Sequence, residues 1–463
     1  MGLRRRPEAE LRLGLAGRVR HPTRAFARAA RRAAPRRPHH RGLTSAGLGR
    51  QSPTAREDAP GRRLRRGRGR GRWSDAPALS TAPGPVAMRV LIVDEEPRVA
   101  EALGRWFSEL EPSWELVPAS SAGEALAALS AQPCDVLITE LRGEHLDGAA
   151  LLSRVAERHP RAARFVLSGR HDYDAPFELL HVAHQLLPKP CAAKTLRRVV
   201  SRLQELSQRL SQPELQVLAH EAGVLSSPCD PRSSAAAIQR LFRTDAGCAA
   251  KLMQLASSGF VGGSSKLADL DAALQQLGAH FADRLAHALC APRAPSPTST
   301  GSGSRQQRSV NIARLAASLA RLPEDAAAAY LAGLLCDVGQ LLLEERDPER
   351  LRATSTEAIE RALPEHVVER AAWGATHAEL GAYLMGLWGL PFQVVEAIAH
   401  HHAPQRAAGD CVVLTRLVWV AACVVEGEAP SSALLSNLGA EELYESAQRS
   451  WPEMRLEQQR RGD

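Results

Sequence analysis

The sequence predicts an α/β domain with a doubly wound parallel sheet, followed by an all-α helical bundle. Two observations predict this order. Short apolar runs alternate with helix-period segments between residues 88 and 205, whereas from about residue 215 almost every segment is rich in Ala, Leu, Arg, Glu and Gln, with turns marked by Gly, Pro and Ser. The 463 residues also exceed one ordinary hydrophobic core, so we expect more than one domain.

Four apolar runs in the first domain are predicted strands, at residues 90–93, 136–139, 165–167 and 185–187. Continuous apolar runs suit strands that are buried on both faces. Helix-period segments alternate with these runs, at residues 98–110, 122–130 and 148–158. Because a parallel sheet binds its ligands beyond the carboxyl ends of its strands, we expect the polar residues that follow the runs to lie at one edge.

Those polar residues are two acids after the first run, a glutamate after the second, a serine after the third, and a Lys-Pro pair after the fourth. The set resembles the receiver domain of bacterial two-component response regulators, over about residues 88–205. The resemblance implies a flavodoxin-like sheet of five strands. It also implies that Asp94 and Glu95 are the acid pair that holds magnesium and that Glu140 stands at the phosphoacceptor position. Ser168 and Lys189 would supply the hydroxyl and the amine that contact the phosphoryl group.

Two positions depart from the receiver pattern. Glu140 stands where the family has a phosphorylatable aspartate, and its extra methylene would misalign in-line attack. Leu186 stands at the aromatic switch position and has neither ring nor hydroxyl. We therefore interpret the domain as a pseudo-receiver. Two alternatives stay open: Glu140 pairs with Lys189 as a structural ion pair, or Asp94 and Glu95 still hold magnesium.

The helical half contains motifs at residues 249–260, 330–340 and 374–384, followed by three consecutive histidines at 400–402. These motifs resemble the HDOD domain, a non-catalytic relative of the HD phosphohydrolases, over about residues 215–425. HD hydrolases bind metal ions through histidines and a His-Asp pair, and the metal generates a hydroxide that attacks phosphate. The resemblance therefore implies that the corresponding positions of this chain would be the candidate metal ligands.

The histidine of the His-Asp pair is replaced by Cys336, and no upstream histidine stands near Ser309. The remaining vestigial positions are Asp337, His377, His401 and His402. We expect no metal here: His377 would pack or form hydrogen bonds inside the bundle, and the histidine cluster would cap a helix end, where cations meet the helix dipole favourably.

Charge is divided unequally along the chain. Residues 1–87 contain 22 arginines, no lysine and five acidic residues, a net charge of +17, whereas the whole chain carries +8 and the remainder therefore −9. This composition predicts a disordered Arg-rich extension, and Met88, directly before the first strand, indicates a misassigned start. A basic arm could also contact nucleic-acid phosphates or act as an organelle transit peptide.

No apolar run approaches the roughly 20 residues that span a bilayer, so we expect no membrane segment. The eight cysteines contain no CxxC pair and no metal-ligand spacing, and they fit thiols in a reducing cytoplasm. We expect an Arg-rich extension at residues 1–87, a receiver-like domain at 88–205 and a helical linker at 206–214. An HDOD domain with a flexible loop at 291–306 follows at 215–428, and a helical tail at 429–463.

These features predict a cytoplasmic bacterial adaptor of the two-component type, without catalytic activity and without a required cofactor. Its contact face would surround Leu186 and the helix from Lys194 onward. The resemblance implies signalling proteins as partners, such as a histidine kinase or a component of a cyclic-di-nucleotide pathway. One alternative is a cryptic metal-dependent phosphohydrolase that uses Asp337, His377 and His401. The other is a nucleic-acid-binding regulator that acts through the basic extension, although residues 88–463 are net acidic and show no helix-turn-helix.

Overall fold

A computed structural model describes residues 88–168, 175–189, 191–223, 234–258, 267–290 and 302–461. The predicted Arg-rich extension lies outside these residues, as do residues 291–301 of the predicted loop. Within the described part, the chain from residue 88 onward belongs to one structural unit.

The first domain contains a five-stranded parallel sheet in the order β2-β1-β3-β4-β5. Its strands are β1 Arg89–Val93, β2 Glu115–Ala119, β3 Val136–Glu140, β4 Ala163–Ser168 and β5 Gln185–Pro188. The register places Val90 beside Val136 and Phe165 beside Gln185. The predicted doubly wound sheet is confirmed. The apolar-run argument did not find β2, because only the last residue of this edge strand is buried and the other four are exposed or partly exposed.

The helices of the first domain are α1 Pro97–Leu110, α2 Ala122–Ala131, α3 Gly148–Arg158, the short α4 Ala175–Glu178, and α5 Ala193–Arg209. Side chains cap two of them: the Ser121 hydroxyl accepts from the Glu124 N–H, and the Asp147 carboxylate accepts from the Ala150 N–H. Helix α5 buries an apolar stripe that includes Leu196, Val200, Leu203 and Leu206.

The second domain is helical, as predicted. Its described helices are α6 Pro213–Glu221, α7 Ala235–Thr244, α8 Ala246–Ser257, α9 Leu270–Leu277, α10 Ala279–Leu289, α11 Ser302–Leu319, α12 Pro323–Leu335, α13 Val338–Arg346, α14 Pro348–Arg361, α15 Glu365–Trp373, α16 His377–Leu387, α17 Phe392–His400, α18 Cys411–Glu426, α19 Ser432–Leu438 and α20 Glu441–Arg461.

The structure differs from the predicted organisation at two segments. The predicted linker 206–214 is not one helix, because α5 ends at Arg209 and Pro213, which has no N–H to donate, begins α6. The predicted loop 291–306 is helical from Ser302 onward. Gln306 explains this extension, since its amide Nε2 donates to the carbonyl oxygen of Thr244 at 3.0 Å and to Asp245 Oδ2 at 2.9 Å.

Within the described residues, six cysteines are free thiols, namely Cys134, Cys191, Cys248, Cys336, Cys411 and Cys423. Cys290 is disulfide-bonded, which contradicts the expectation that all eight are reduced, because spacing along a chain does not reveal which sulfurs meet in the fold. One stretch, Pro323–Arg346, is apolar and long enough for a bilayer by composition, and 78% of its apolar window is buried. A core helix of a helical domain passes the same test.

Candidate functional site

The first candidate site lies where β1, β3 and β5 end. Asp94 follows β1, Glu140 is the last residue of β3, and Lys189 follows β5, so the parallel strands bring all three to one edge. Lys189 Nζ lies 2.6 Å from Glu140 Oε2 and 3.2 Å from Asp94 Oδ2. The other carboxylate oxygen of Glu140 accepts a hydrogen bond of 3.1 Å from the backbone N–H of Glu95. Groups of the protein therefore engage both oxygens of Glu140.

Hydrogen bonds to the two carboxylates keep the Lys189 amine charged. The Glu140 side chain is 12% exposed and that of Asp94 only 3%. Burial lowers the pKa of Lys189, but the hydrogen bonds from its amine to Glu140 and Asp94 outweigh burial, so the pKa is raised overall. The ammonium therefore persists at neutral pH, and it bridges the two carboxylates.

Glu95 does not join the other acids. Its carboxylate accepts from the backbone N–H of Glu144 at 2.5 Å and from that of His145. It thus closes the loop after β3, and a Cβ at Gly143 would collide with it. Since both Glu95 oxygens bind loop amides and Asp94 Oδ2 binds Lys189, the acid pair does not fit a magnesium ion, which requires carboxylate oxygens in octahedral geometry.

The other two receiver positions lie nearby in the sheet. Ser168 is the last residue of β4, paired in register with Pro188 of β5. Leu186 lies in the middle of β5, is 3% exposed, and is paired with Val166. A buried leucine at this position has no polar group that could exchange between two environments.

The second candidate site lies in the helical domain, where α11, α13, α15, α16 and the end of α17 meet. Asp337 stands between α12 and α13, and His377 begins α16. His377 Nδ1 lies 2.6 Å from Glu369 Oε2, and His377 Nε2 lies 3.6 Å from Asp337 Oδ1. His401 Nε2 and His402 Nε2 lie 3.3 and 3.0 Å from His377 Nε2. The structure therefore brings the vestigial positions together.

The histidine cluster does more than cap a helix. His401 Nδ1 is 2.8 Å from the carbonyl oxygen of Ile398, as a helix cap would be. Its other nitrogen faces the interior, and one donor atom each of His377, His401 and His402 lies within 4.8 Å of the others. Cys336, Asp337 and His401 form a second such group, although the Cys336 thiol is buried and donates to the Gly333 carbonyl oxygen at 3.1 Å.

Arg308 of α11 occupies this site, and sequence reasoning missed it. Its Nε donates to Asp337 Oδ2 at 2.9 Å and its Nη2 to Gln340 Oε1 at 2.6 Å. Glu365 and Glu426 each lie 3.8 Å from the guanidinium. The sequence contains a sign of this role, since Arg308 directly precedes Ser309, near which the HD pattern has an upstream histidine. The prediction considered only histidine at this position and therefore did not include Arg308.

Arg308 and His377 supply positive charge where HD hydrolases have metal. Burial raises the pKa of Asp337, but the charges of Arg308 and His377 lower it to about 2. Burial lowers the pKa of His377, yet Glu369 raises it to about 9, so the imidazole is protonated at neutral pH. A protonated imidazole has no lone pair for a metal, and a guanidinium on Asp337 repels a cation. The donor set therefore does not fit the metal centre of an HD hydrolase.

A buried polar network joins the two domains through Arg164 of β4. Its Nη2 donates to the carbonyl oxygen of His220 in α6 at 2.7 Å, and its Nε donates to that of Val182 at 2.6 Å. His220 Nε2 lies 2.7 Å from the hydroxyl oxygen of Tyr383 in α16. Burial, followed by the charge of Arg164, lowers the pKa of His220 to about 3. His220 is therefore neutral near pH 7.

Lys251 of α8 makes a second connection. This lysine is 1% exposed, and its Nζ donates to the carbonyl oxygen of Leu180 at 3.0 Å and to Gln254 Oε1 at 2.9 Å. The amine also lies 3.9 Å from the ring centroid of Trp388. Gln254 Nε2 donates to the carbonyl oxygen of His184 at 2.6 Å. Burial lowers the pKa of Lys251. Its sequence context, an ordinary helix, gave no sign of this role.

The face predicted around Leu186 and along α5 lies against the helical domain. Gln185 Nε2, beside Leu186, donates to the carbonyl oxygen of Leu387 at 3.0 Å. On α5, Arg209 Nη1 lies 2.7 Å from Glu396 Oε1 of α17, and Arg202 Nη2 lies 3.1 Å from the same oxygen. This face is therefore used inside the chain.

The fold and the two sites define a class of protein, a receiver domain followed by a helical HD-type domain. Comparison with known families agrees: the model of the response regulator receiver domain matches residues 90–201, and that of the HDOD domain matches residues 221–404. The chain therefore consists, in these regions, of a receiver domain and an HDOD domain.

Relatives match parts of the chain. A protein of Treponema pallidum is 26% identical over 42% of this chain and 39% of its own length. The hydrogenase transcriptional regulatory protein HoxA of Cupriavidus necator is 40% identical over 18% of this chain and 17% of its own length. The chain thus spans well under half of either relative. The solved signal receiver domain of an HD domain-containing protein from Pseudomonas fluorescens Pf-5 is 24% identical, with 29% of this chain and 97% of that chain covered and a TM-score of 0.26.

Proposed function

We propose that this protein is a cytoplasmic, non-catalytic signalling adaptor in which a pseudo-receiver is coupled to an HDOD domain. Its partners would be other signalling proteins, such as a histidine kinase or a component of a cyclic-di-nucleotide pathway. The observation that carries the proposal is the ion pair of Glu140 with Lys189, 2.6 Å long, at the phosphoacceptor position. This pair engages the amine that would otherwise contact a phosphoryl group.

The geometry around Glu140 opposes phosphoryl transfer. Phosphoryl transfer depends on placing the acceptor in line with the leaving group and on a cation that neutralises the developing charge. Both Glu140 oxygens already bind protein groups, and Glu95 binds loop amides in place of a cation. The pocket instead holds a permanent carboxylate beside Lys189, the arrangement of charges that a weakly phosphorylated receiver would have.

The HDOD site supports the absence of catalysis independently. Asp337 is bound by Arg308 at 2.9 Å, and His377 is held by Glu369 at 2.6 Å. Two fixed cations in a buried site would repel a divalent metal ion. We infer that these residues stabilise the bundle by charge pairing, and that the domain acts through its surfaces.

The test is phosphorylation of the full chain by acetyl phosphate with magnesium, measured by intact mass. We expect no phosphoryl adduct on the wild type. We expect little or none on Glu140→Asp, because Asp94 still binds Lys189 and Glu95 still binds the loop amides in place of magnesium. Glu140→Gln is the matched control and should stay unlabelled. Stoichiometric labelling of the wild type at Glu140 would refute the pseudo-receiver.

A cryptic metal-dependent phosphohydrolase is the second candidate, and one observation favours it: His377, His401 and His402 converge within 4.8 Å. The discriminating measurements are elemental analysis of the purified protein and hydrolysis of bis(p-nitrophenyl) phosphate with added manganese. Our proposal requires no stoichiometric transition metal and no hydrolysis. One metal ion per chain together with activity that Asp337→Asn abolishes would establish the enzyme instead.

A further inference from the structure

The contact between the two domains buries four basic side chains in one cluster. Arg164 of β4 and His184, directly before β5, belong to the receiver domain, whereas His220 of α6 and Lys251 of α8 come from the helical side. None of the four is more than 3% exposed. In the described part of the chain their hydrogen bonds go to backbone groups, to neutral side chains or to one another, and none goes to a carboxylate.

The hydrogen bonds of His184 require a neutral imidazole. Its Nδ1 lies 3.0 Å from the backbone nitrogen of Arg164, and that N–H only donates, so Nδ1 is the unprotonated acceptor. Nε2 therefore carries the single ring hydrogen, and it lies 2.9 Å from the carbonyl oxygen of His220, which accepts it. A second proton, on Nδ1, would face the N–H of Arg164 and break that hydrogen bond.

Positive charge also surrounds the His184 ring. Arg164 Nη2 lies 2.9 Å from His184 Nε2 and donates to the same carbonyl oxygen of His220 at 2.7 Å. Burial lowers the pKa of His184, and the charges of Arg164, His220 and Lys251 lower it further. Burial, followed by the charge of Arg164, lowers the pKa of Lys251 as well. The cluster therefore opposes any additional proton.

His220 is neutral for a similar reason. Its Nε2 lies 2.7 Å from the hydroxyl oxygen of Tyr383, and its buried Nδ1 has no hydrogen-bond partner among the described residues. Burial and the charge of Arg164 lower the pKa of His220 to about 3, although the carbonyl groups of Pro160 and Arg161 act in the opposite direction. A protonated His220 would be a second buried cation beside Arg164.

The acids that act on the cluster do so without an ion pair in the described structure. Burial lowers the pKa of Arg164 to about 10, and Glu221, exposed at the end of α6, offsets this in part. Burial raises the pKa of the Tyr383 hydroxyl, and the charge of Asp135 adds to this effect. Neither carboxylate contacts an imidazole, so neither can balance a proton that enters the contact.

We propose that the contact between the two domains is acid-sensitive: protons on His184 and His220 separate β4 and β5 from α6 and α8, while each domain stays folded. Protonation breaks the hydrogen bond from the Arg164 N–H and places new positive charge beside the guanidinium, whereas in water each imidazole accepts its proton freely. The inference goes beyond the adaptor function, because it assigns proton concentration as an input. It does not depend on the phosphorylation state of the receiver.

The size of the effect follows from the linkage between protonation and docking. A histidine with a pKa of 6.5 in the open form and about 3 in the docked form makes opening about 30-fold more favourable at pH 5 than at pH 7.5. This is the share of His220, and His184 acts in the same direction. Because the docked pKa is the lower one, docking is fully stable above pH 6.5 and weakens as pH falls towards about 3.

The test is hydrogen–deuterium exchange of the full chain at pH 7.5 and pH 5, with labelling times scaled for the intrinsic exchange rates. Helix α6 is the reporter, since it has nine residues and helices shorter than roughly 12–15 residues are marginal in isolation. We expect its protection factor to fall about 30-fold or more, while the central strand β3 stays protected. Unchanged protection of α6, or a parallel loss in α6 and β3, would overturn the proposal.

Variants separate the charge of the two imidazoles from other effects of acid. His184→Asn combined with His220→Gln supplies amides that form hydrogen bonds but do not accept a proton, so α6 should stay protected at pH 5. His280→Gln, at an exposed histidine of α10, is the matched control and should respond as the wild type does. A folded double variant that opens in acid like the wild type would refute the assignment.

A measurement on the wild type covers the case in which circular dichroism shows the double variant to be unfolded. Exchange of the imidazole C2 hydrogen, followed by mass spectrometry, reports the protonation of each histidine without a substitution. We expect His184 and His220 to titrate at least about one unit below the usual histidine pKa of about 6.5. Titration of both at about 6.5 would contradict the proposal.

Discussion

Replacing Arg308 with methionine tests whether its guanidinium balances the charge of the buried Asp337 carboxylate. The substitution keeps most of the aliphatic stem and removes the group that binds Asp337 at 2.9 Å. Asp337, whose side chain is 4% exposed, would then remain as a buried carboxylate whose cationic neighbour among the described residues is His377. We expect a marked loss of stability at neutral pH.

The magnitude follows from the pKa of Asp337. That pKa falls from 3.8 to about 2 in the folded protein, a shift equivalent to about 2 kcal/mol of stability. Because the folded pKa is the lower one, this contribution is fully present above pH 3.8 and is lost as pH falls through about 2. Breaking a buried ion pair by removing one partner costs about 3–5 kcal/mol. We therefore expect Arg308→Met to lower the free energy of unfolding by about 3 kcal/mol at pH 7.

The assay is urea unfolding of the full chain followed by circular dichroism at 222 nm, combined with a double-mutant cycle. Arg308→Met combined with Asp337→Asn should recover about 2 kcal/mol relative to the sum of the single variants, since the uncompensated charge is gone. Arg321→Met is the control for loss of a surface arginine. A cost below about 1 kcal/mol for Arg308→Met, or additive single variants, would refute the charge-replacement argument.

Three further predictions concern the domain contact, the helical packing and the histidine site of the HDOD domain. Between pH 6.5 and pH 5 the wild type should lose about 2 kcal/mol of stability through His220, whose folded pKa of about 3 lies below its unfolded value of 6.5. Burial also lowers the pKa values of His184, His366, His401 and His402, so His220→Gln should remove only this share of the pH dependence in urea unfolding, and an unchanged slope would contradict the prediction. Gly333→Ala should lower the free energy of unfolding by about 1–3 kcal/mol, because the new Cβ would lie 2.8 Å from the backbone of Ala313. The control Gly104→Ala, with open space around its Cβ, should leave the stability unchanged or raise it, and thermal melts of both variants measure the difference. The double variant Arg308→His, Cys336→His should acquire one manganese ion per chain by elemental analysis, and a metal-free double variant would show that other residues also exclude the ion.

The sequence predicts most of the sheet domain, because buried parallel strands are continuous apolar runs and their polar ends must share an edge. Asp94, Glu140 and Lys189 meet there for that reason alone. The edge strand β2 has no such run, and the direction of the Glu95 side chain depends on loop amides about 50 residues away in the sequence. Local pattern does not contain that information.

The sequence predicts the helices of the second domain but not the polar contacts that its buried side chains make. Sequence motifs place Asp337 and His377 at the same site, but the partner that binds the aspartate, Arg308, is determined by the packing of α11 against α12 and α18. The same holds for Lys251 and His220, whose contacts join residues 71 and 163 positions apart. A lysine or histidine on a helix is normally solvated, so only the docking of the two domains explains why these are buried.

Helix α8 has twelve residues and is therefore about 18 Å long. Its capping residue, Asp245, accepts from Gln306 of α11 at 2.9 Å, while Lys251 and Gln254 farther along it bind backbone carbonyls beside β5. A hydrogen-bonded helix is stiff along its axis, so α8 rigidly connects the contact at Asp245 with those at Lys251 and Gln254. A displacement of the helix end at Asp245 would therefore be transmitted along α8 to the backbone that precedes β5.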